Sequence, residues 1–174
     1  MYEFHDKLPI NDSLVHGFVV ARDDNGSIIF KKSNMVVNGG RESIIALINN
    51  TMFNTEADNA FKTFSSIKFG SNYSMTTPDT DGITEIGNPV AYQYDISTTR
   101  EEKKAYCEYD GPNKCFKIYI DVEANTPAEI RELGLYFKNR KDEELLFSRV
   151  VFDPIFCGAN AAISKFTMTY YVYL

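Results

Sequence analysis

The chain of 174 residues has no tryptophan, two histidines and three cysteines, and each shortage removes a class of chemistry. With only His5 and His16 available, a serine or cysteine nucleophile has almost no choice of base. No Gly-x-Ser-x-Gly elbow is present, and a zinc centre lacks its usual ligands. Cys107, Cys115 and Cys157 form no Cys-x-x-Cys pair and leave one over, so they are expected as free thiols filling apolar space in a reducing compartment. No window approaches the roughly 20 apolar residues of a membrane span, and the segment MYEFHDKLPINDS is neither basic nor apolar enough for a secretory signal. A soluble chain made in a cytoplasm, with no membrane partner, is the expectation. The 18 basic residues against 24 acidic ones give a net charge of -6, and no stretch gathers Lys or Arg into a stripe, so nucleic acid is not an expected partner.

What the chain does have is 13 Phe and 11 Tyr in a composition that is 44% hydrophobic, tilted toward strand formers. Its length suits one domain, with residues 1–13 as an N-terminal arm and 71–89 as a long loop. The dominant signal is period-two alternation broken by turn clusters. Leu14 to Arg22 and Ser27 to Lys32 form a hairpin across Asp23-Asp24-Asn25-Gly26, the strongest local turn signal. In KCFKIYIDVEA, Phe116, Ile118, Ile120 and Val122 alternate with Cys115, Lys117, Tyr119 and Asp121, giving one buried and one wet face. The last segment alternates Phe166, Met168, Tyr170 and Val172 with Lys165, Thr167, Thr169 and Tyr171. Strands are also expected at Thr63–Gly70, Ala128–Phe137 and Leu145–Phe152, the last ending at a proline corner. A two-residue loop in DGPN would place Glu108, not Cys107, opposite Cys115. Eight to ten strands with one helix over 41–49 predict a mainly β protein, an antiparallel β-sandwich of jelly-roll type.

The stretch NMVVNGGRESIIALI places Gly39-Gly40-Arg41 before that helix. A phosphate loop requires Gly-x-x-x-x-Gly-Lys-Ser/Thr, and a dinucleotide fingerprint requires Gly-x-Gly-x-x-Gly in a parallel βαβ unit; neither companion set is present. The reading favoured is architectural: Gly39 or Gly40 supplies a positive φ at a corner, Glu42 and Ser43 complement the helix dipole, and Ile44, Ile45, Leu47 and Ile48 form the apolar face. Asp79, Asp81 and Glu85 in PDTDGITE, and Asp23 and Asn25 in RDDNG, miss the spacing of a calcium loop and read as turns. Glu132 lies amid apolar residues in AEIRELGLYF; with Glu129 it could supply a carboxylate pair for glycoside hydrolysis, but the favoured reading is structural pairing with a cation, Arg149 or Arg41. No catalytic residue, cofactor or metal is expected.

Three stretches together, IIFKKSNMVVNGGRESIIALI, IRELGLYF and LLFSRVVFDPI before ISKFTMTYYVYL, resemble a set of tailed-bacteriophage virion proteins. In that set an Asn-x-Val-Val strand and a Gly-Arg lead into a helix, followed by a Glu-x-Gly-Leu-Phe-like strand and a Leu-x-x-Arg-x-x-Phe strand. This chain has Tyr136 where Phe is usual and Tyr170-Tyr171 where Trp is often found, and its 71–89 tract is its own. The resemblance implies a non-enzymatic β-rich protomer of a tail, neck, collar or baseplate, or an anchor for fibres. It would assemble in the host bacterial cytoplasm into the virion, with copies of itself and other virion proteins as partners. A second reading is a carbohydrate-binding sandwich in which Tyr92, Tyr94, Tyr106 and Tyr109 stack on sugars of a host surface glycan.

Overall fold

The computed structural model describes residues 15–71, 85–87, 89–99 and 105–173. The arm at 1–13, Asp79 and Asp81 lie outside them. In chain order the elements are β1 (His16–Asp23), β2 (Ile28–Ser33), β3 (Met35–Val36), α1 (Asn38–Phe53), β4 (Phe61–Gly70), β5 (Pro89–Ser97), β6 (Ala105–Asp110), β7 (Cys115–Glu123), β8 (Ala128–Asn139), β9 (Glu144–Cys157) and β10 (Lys165–Tyr173). The protein is mainly β, as expected, but the strands do not separate into the two sheets of a sandwich. They follow one hydrogen-bonded order, β2-β1-β10-β7-β6-β5-β4-β8-β9-β3, nearly closed into a barrel. The reason is β5, which pairs antiparallel with β4 through Ser66↔Asp95 and Ile67↔Tyr94 and parallel with β6 through Ile96↔Ala105 and Ser97↔Tyr106. Alternation within a strand sets its inner face and leaves its neighbours undetermined.

The inner faces follow the alternation closely. Ile118, Ile120 and Val122 of β7 and Phe166, Met168, Tyr170 and Val172 of β10 are buried in one core with Ile67 and Phe69 of β4, Leu133, Leu135 and Phe137 of β8, and Phe147, Val150 and Phe152 of β9. Aromatic edges tie opposite walls together: Phe69 meets Phe166 at 6.4 Å and Phe64 meets Phe116 at 6.0 Å. Where the ends of the sheet approach, Phe30 of β2 stacks on Phe152 of β9 at 4.4 Å. Inside the core, the Tyr170 hydroxyl shares a short hydrogen bond with Ser148 and accepts one from Asn34 Nδ2 at 3.2 Å, so this buried phenol has partners.

Three local expectations are corrected. The hairpin after β6 has a four-residue loop, 111–114, which puts Asp110 opposite Cys115 and Glu108 opposite Lys117. β9 does not stop at a proline corner; it continues through Pro154 to Cys157. The β8 partner register slips between Ile130 and Glu132 there, and a bulge tolerates a residue without an N–H. The helix spans 38–53 instead of 41–49 and buries Gly40, Ser43, Ile44, Ala46 and Asn50. Ile45 and Ile48 of the expected apolar face are 53% and 41% exposed, alongside Met52 and Phe53.

Gly39 and Gly40 are helical; the positive-φ glycines among the described residues are Gly26 and Gly158. What β9 requires of Gly40 is space, since a Cβ there would sit inside van der Waals contact of the Phe147 carbonyl oxygen and 3.1 Å from Val36 Cγ1. At Gly39 the nearest atom would be 3.8 Å away. Ser43 turns inward and donates to the Gly40 carbonyl at 2.7 Å, so it caps no N–H, and the first turn holds no acidic residue. Gly40→Ala is therefore expected to cost about 1–3 kcal/mol through overpacking, while Gly39→Ala costs nothing or gains up to about 1 kcal/mol. Urea unfolding of the two variants distinguishes a close-packing glycine from a corner glycine.

Candidate functional site

Alternation gives β8 and β9 an outer face as well as an inner one, and the two buried charges among the described residues lie on it. Glu132 and Arg149 are 0% and 4% exposed. Arg149 Nε donates to Glu132 Oε2 at 2.6 Å, and the other carboxylate oxygen, Oε1, accepts from the Gly87 N–H at 2.7 Å. One position further along, the Tyr136 hydroxyl accepts from the Ile86 N–H at 3.2 Å. Residues 85–87, at the end of the tract expected as a long loop, are thus clamped across β8 by two side-chain acceptors. Ile86 closes a small apolar cluster with Val37, Tyr136 and Leu146.

Two glycines make room for this cover. A Cβ on Gly134 would fall 2.6 Å from Ile86 Cγ2, and one on Gly70 would fall 2.6 Å from Glu132 Oε1. Beside the trough, Lys68 lies 4.2 Å over the Tyr136 ring and pairs with Glu144 at 2.6 Å, which also accepts from Ser65 and Ser66 at 2.8 Å. Burial pushes the Glu144 carboxyl up, and Lys68 with the two hydroxyls more than offsets it, so its pKa is lowered.

Of the expected site residues, Glu132 and Arg149 come together. Arg41 does not join them: its Nη1 lies 3.4 Å from Asn38 Oδ1, and its buried Nε has no partner among the described residues. The start of α1 faces the backbone of β9, with Val37 N–H donating to Phe147 O at 3.0 Å, so Gly39, Gly40 and Arg41 frame a packing junction. Asp23 is spent on its own turn, accepting from Asn25 N at 2.9 Å and Ser27 N at 2.8 Å. Among the described residues no group of three or more His, Cys, Asp or Glu is placed to hold a metal, and no helix is long and apolar enough to cross a membrane.

The four tyrosines of the carbohydrate reading do not share a surface. Tyr92 is buried, with its hydroxyl on the Thr126 carbonyl. Tyr94 packs against the core. Tyr109 is 62% exposed on the inward side of β6, beside Phe116. Only Tyr106 stands on the outer face, stacked on Tyr119 at 4.8 Å. Tyr119 was visible on the wet face of its strand; what sequence reasoning lacked was the pairing of β7 with β6 and β10 that brings Tyr106, Tyr119, Asp121, Thr167 and Thr169 around one surface depression of about 340 Å³.

Comparison with known proteins gave no matching family model, no matching curated protein and no matching solved structure.

Two outcomes test this geometry. Arg149→Met leaves a buried carboxylate uncompensated and is expected to cost about 3–5 kcal/mol. Glu132→Leu with Arg149→Met recovers most of that, short of the about 1–3 kcal/mol for the orphaned Gly87 N–H; a double-mutant cycle in urea checks both. At high pH the tyrosines decide stability. Burial lifts Tyr94 from its ordinary value of about 10 to about 12. Tyr119 rises to about 12 through burial and its bond to Glu108, and burial lifts Tyr170 as well. Because the folded values are raised, their contribution is intact below pH about 10 and is lost as pH rises through about 12. The part of the phenolate absorbance that comes from these shielded tyrosines is expected to appear together with loss of near-ultraviolet circular dichroism.

Proposed function

We propose that the chain is a non-enzymatic structural protomer of a tailed-bacteriophage particle, part of the tail, neck, collar or baseplate or an anchor for its fibres. One observation carries the reading: the separated stretches that resemble such virion proteins come together as a single packed block. The Asn-x-Val-Val and Gly-Arg residues lie on β3 and at the start of α1, with Met35 and Val36 paired to Arg149 and Ser148 of β9. The Glu of the Glu-x-Gly-Leu stretch and the Arg of the Leu-x-x-Arg-x-x-Phe stretch are the buried pair Glu132 and Arg149. The Gly of the former, Gly134, admits Ile86. Motif residues spent on packing favour a fold-defining signature over a catalytic one, since a catalytic group must reach a substrate.

The surface supports assembly. Ile45, Ile48, Met52 and Phe53 leave one side of α1 apolar and exposed, and Ile28 and Phe156 are 55% and 62% exposed on the strands that meet at the barrel's seam. Large apolar side chains gathered in this way mark contact surfaces, and an open strand edge is a hazard that closed symmetry covers.

The purified protein is expected to form a defined oligomer, alone or on mixing with another protein of the same particle. Ile48→Asp with Met52→Asp is expected to shift light scattering toward monomer and leave the urea midpoint nearly unchanged, because both side chains are already solvated. A monomer that stays a monomer in the presence of every other virion protein, and is missing from mass spectra of purified particles, would overturn the proposal.

A further inference from the structure

The outer face of β6, β7 and β10 carries a second feature, independent of the assembly reading. The Tyr106 and Tyr119 rings face each other across the strand pair, with centroids 4.8 Å apart and planes 19° apart. A centroid separation equal to the strand spacing means that both rings stand on edge, with their faces directed along the sheet toward the neighbouring strands. Tyr106 covers one face of Tyr119. The opposite face looks toward β10, where Tyr119 pairs with Thr169 and Asp121 pairs with Thr167. Threonines leave the floor low there, and the depression of about 340 Å³ opens between them and the tyrosine wall. Tyr119 donates its hydroxyl to Glu108 Oε1 at 2.9 Å, so the ring is held at its tip and on one face before anything binds.

The neighbouring aromatics on the same outer surface differ in this respect. His16 stacks on Tyr173 at 5.1 Å and Phe18 on Tyr171 at 4.4 Å, while Lys31 lies over Phe18 at 4.7 Å and Lys117 lies 5.8 Å from the Tyr171 centroid. Phe18 and Tyr171 thus have a ring on one side and a cation on the other. At Tyr119 a fixed ring face, two hydroxyls and one carboxylate converge on a shallow polar hollow. A carboxylate accepts two adjacent hydroxyl donors at once, threonine hydroxyls both donate and accept, and a negative π face attracts a patch of C–H bonds. The ligand complementary to all three is a ring with one C–H face and a rim of hydroxyls.

We infer that this depression is a binding subsite for a neutral pyranose unit, with Tyr119 stacking on the sugar's C–H face, Asp121 accepting a vicinal diol, and Thr167 and Thr169 completing its hydroxyl contacts. Tyr106 and Glu108 are positioning residues that hold the Tyr119 ring.

Saturation-transfer NMR on the full chain tests it, with D-glucose, D-galactose, N-acetyl-D-glucosamine and L-rhamnose as probes and tetramethylammonium as a cationic control. At least one sugar is expected to receive saturation, strongest at its ring C–H protons. Tyr119→Ala and Asp121→Asn are each expected to weaken it about three- to tenfold, and Tyr119→Phe, which keeps the ring, to retain most of it. Asp121 is exposed, so its variant tests the site even where Tyr119→Ala unfolds. Three results overturn the inference: no saturation of any of the four sugars, tetramethylammonium bound in their place, or sugar binding that Asp121→Asn leaves unchanged.

Discussion

The Glu132 and Arg149 pair is the constraint around which the β8 and β9 half of the molecule is arranged. Two charges taken out of water are stable only when every remaining hydrogen-bonding position is filled. Arg149 meets one carboxylate oxygen and the Gly87 N–H meets the other. That second bond cannot form unless residues 85–87 lie against the sheet. Side-chain-free positions at Gly70 and Gly134 let them do so, and Ile86 then finishes an apolar cluster with Val37, Tyr136 and Leu146. A buried charge, a docked segment and two glycines are therefore one requirement expressed at four places.

The same half fixes the helix. Val37 hydrogen-bonds to the Phe147 carbonyl, and Gly40 brings α1 against the same β9 residue. With Gly40, Ser43, Ala46 and Asn50 turned inward, the helix sits close to the strands and keeps most of its large apolar residues on the outside. A helix that approaches a sheet through small residues leaves its bulk for another surface, and this asymmetry makes assembly the reading that the exterior of the molecule favours.

Much of the interior was legible because alternation has a period of two and sheets obey it. The buried and wet faces of β10 follow it throughout, and those of β7 from Lys117 onward, while Cys115 at the start of β7 is buried on the side expected to be wet and Phe116 is half-buried. The need of Glu132 for a cation was legible too, since a charge among apolar neighbours demands one, though sequence could not choose between Arg149 and Arg41. Pairing across long separations was not legible. It joined two expected sheets through β5, carried β9 past Pro154, and placed Tyr119 between Tyr106 and Thr169. The helix was misread for a different reason: its isoleucines have helical spacing, but contact distance to β9 decided which face turned inward. Gly39-Gly40 looked like a corner because glycine serves turns and close packing alike, and only the Phe147 carbonyl distinguishes them.

The central claim is that Glu132, Gly134 and Arg149, with residues 85–87 and the start of α1, form a packing node, not a site that engages a ligand. Hydrogen exchange resolved to single amides tests it most directly at Ile86 and Gly87. The account predicts that both amides are protected, that their protection disappears in Arg149→Met, and that the amides of β7 and β10 remain protected in that variant. Ile86 and Gly87 amides exchanging at unprotected rates in the unaltered protein, with β8 and β9 still protected, would contradict it.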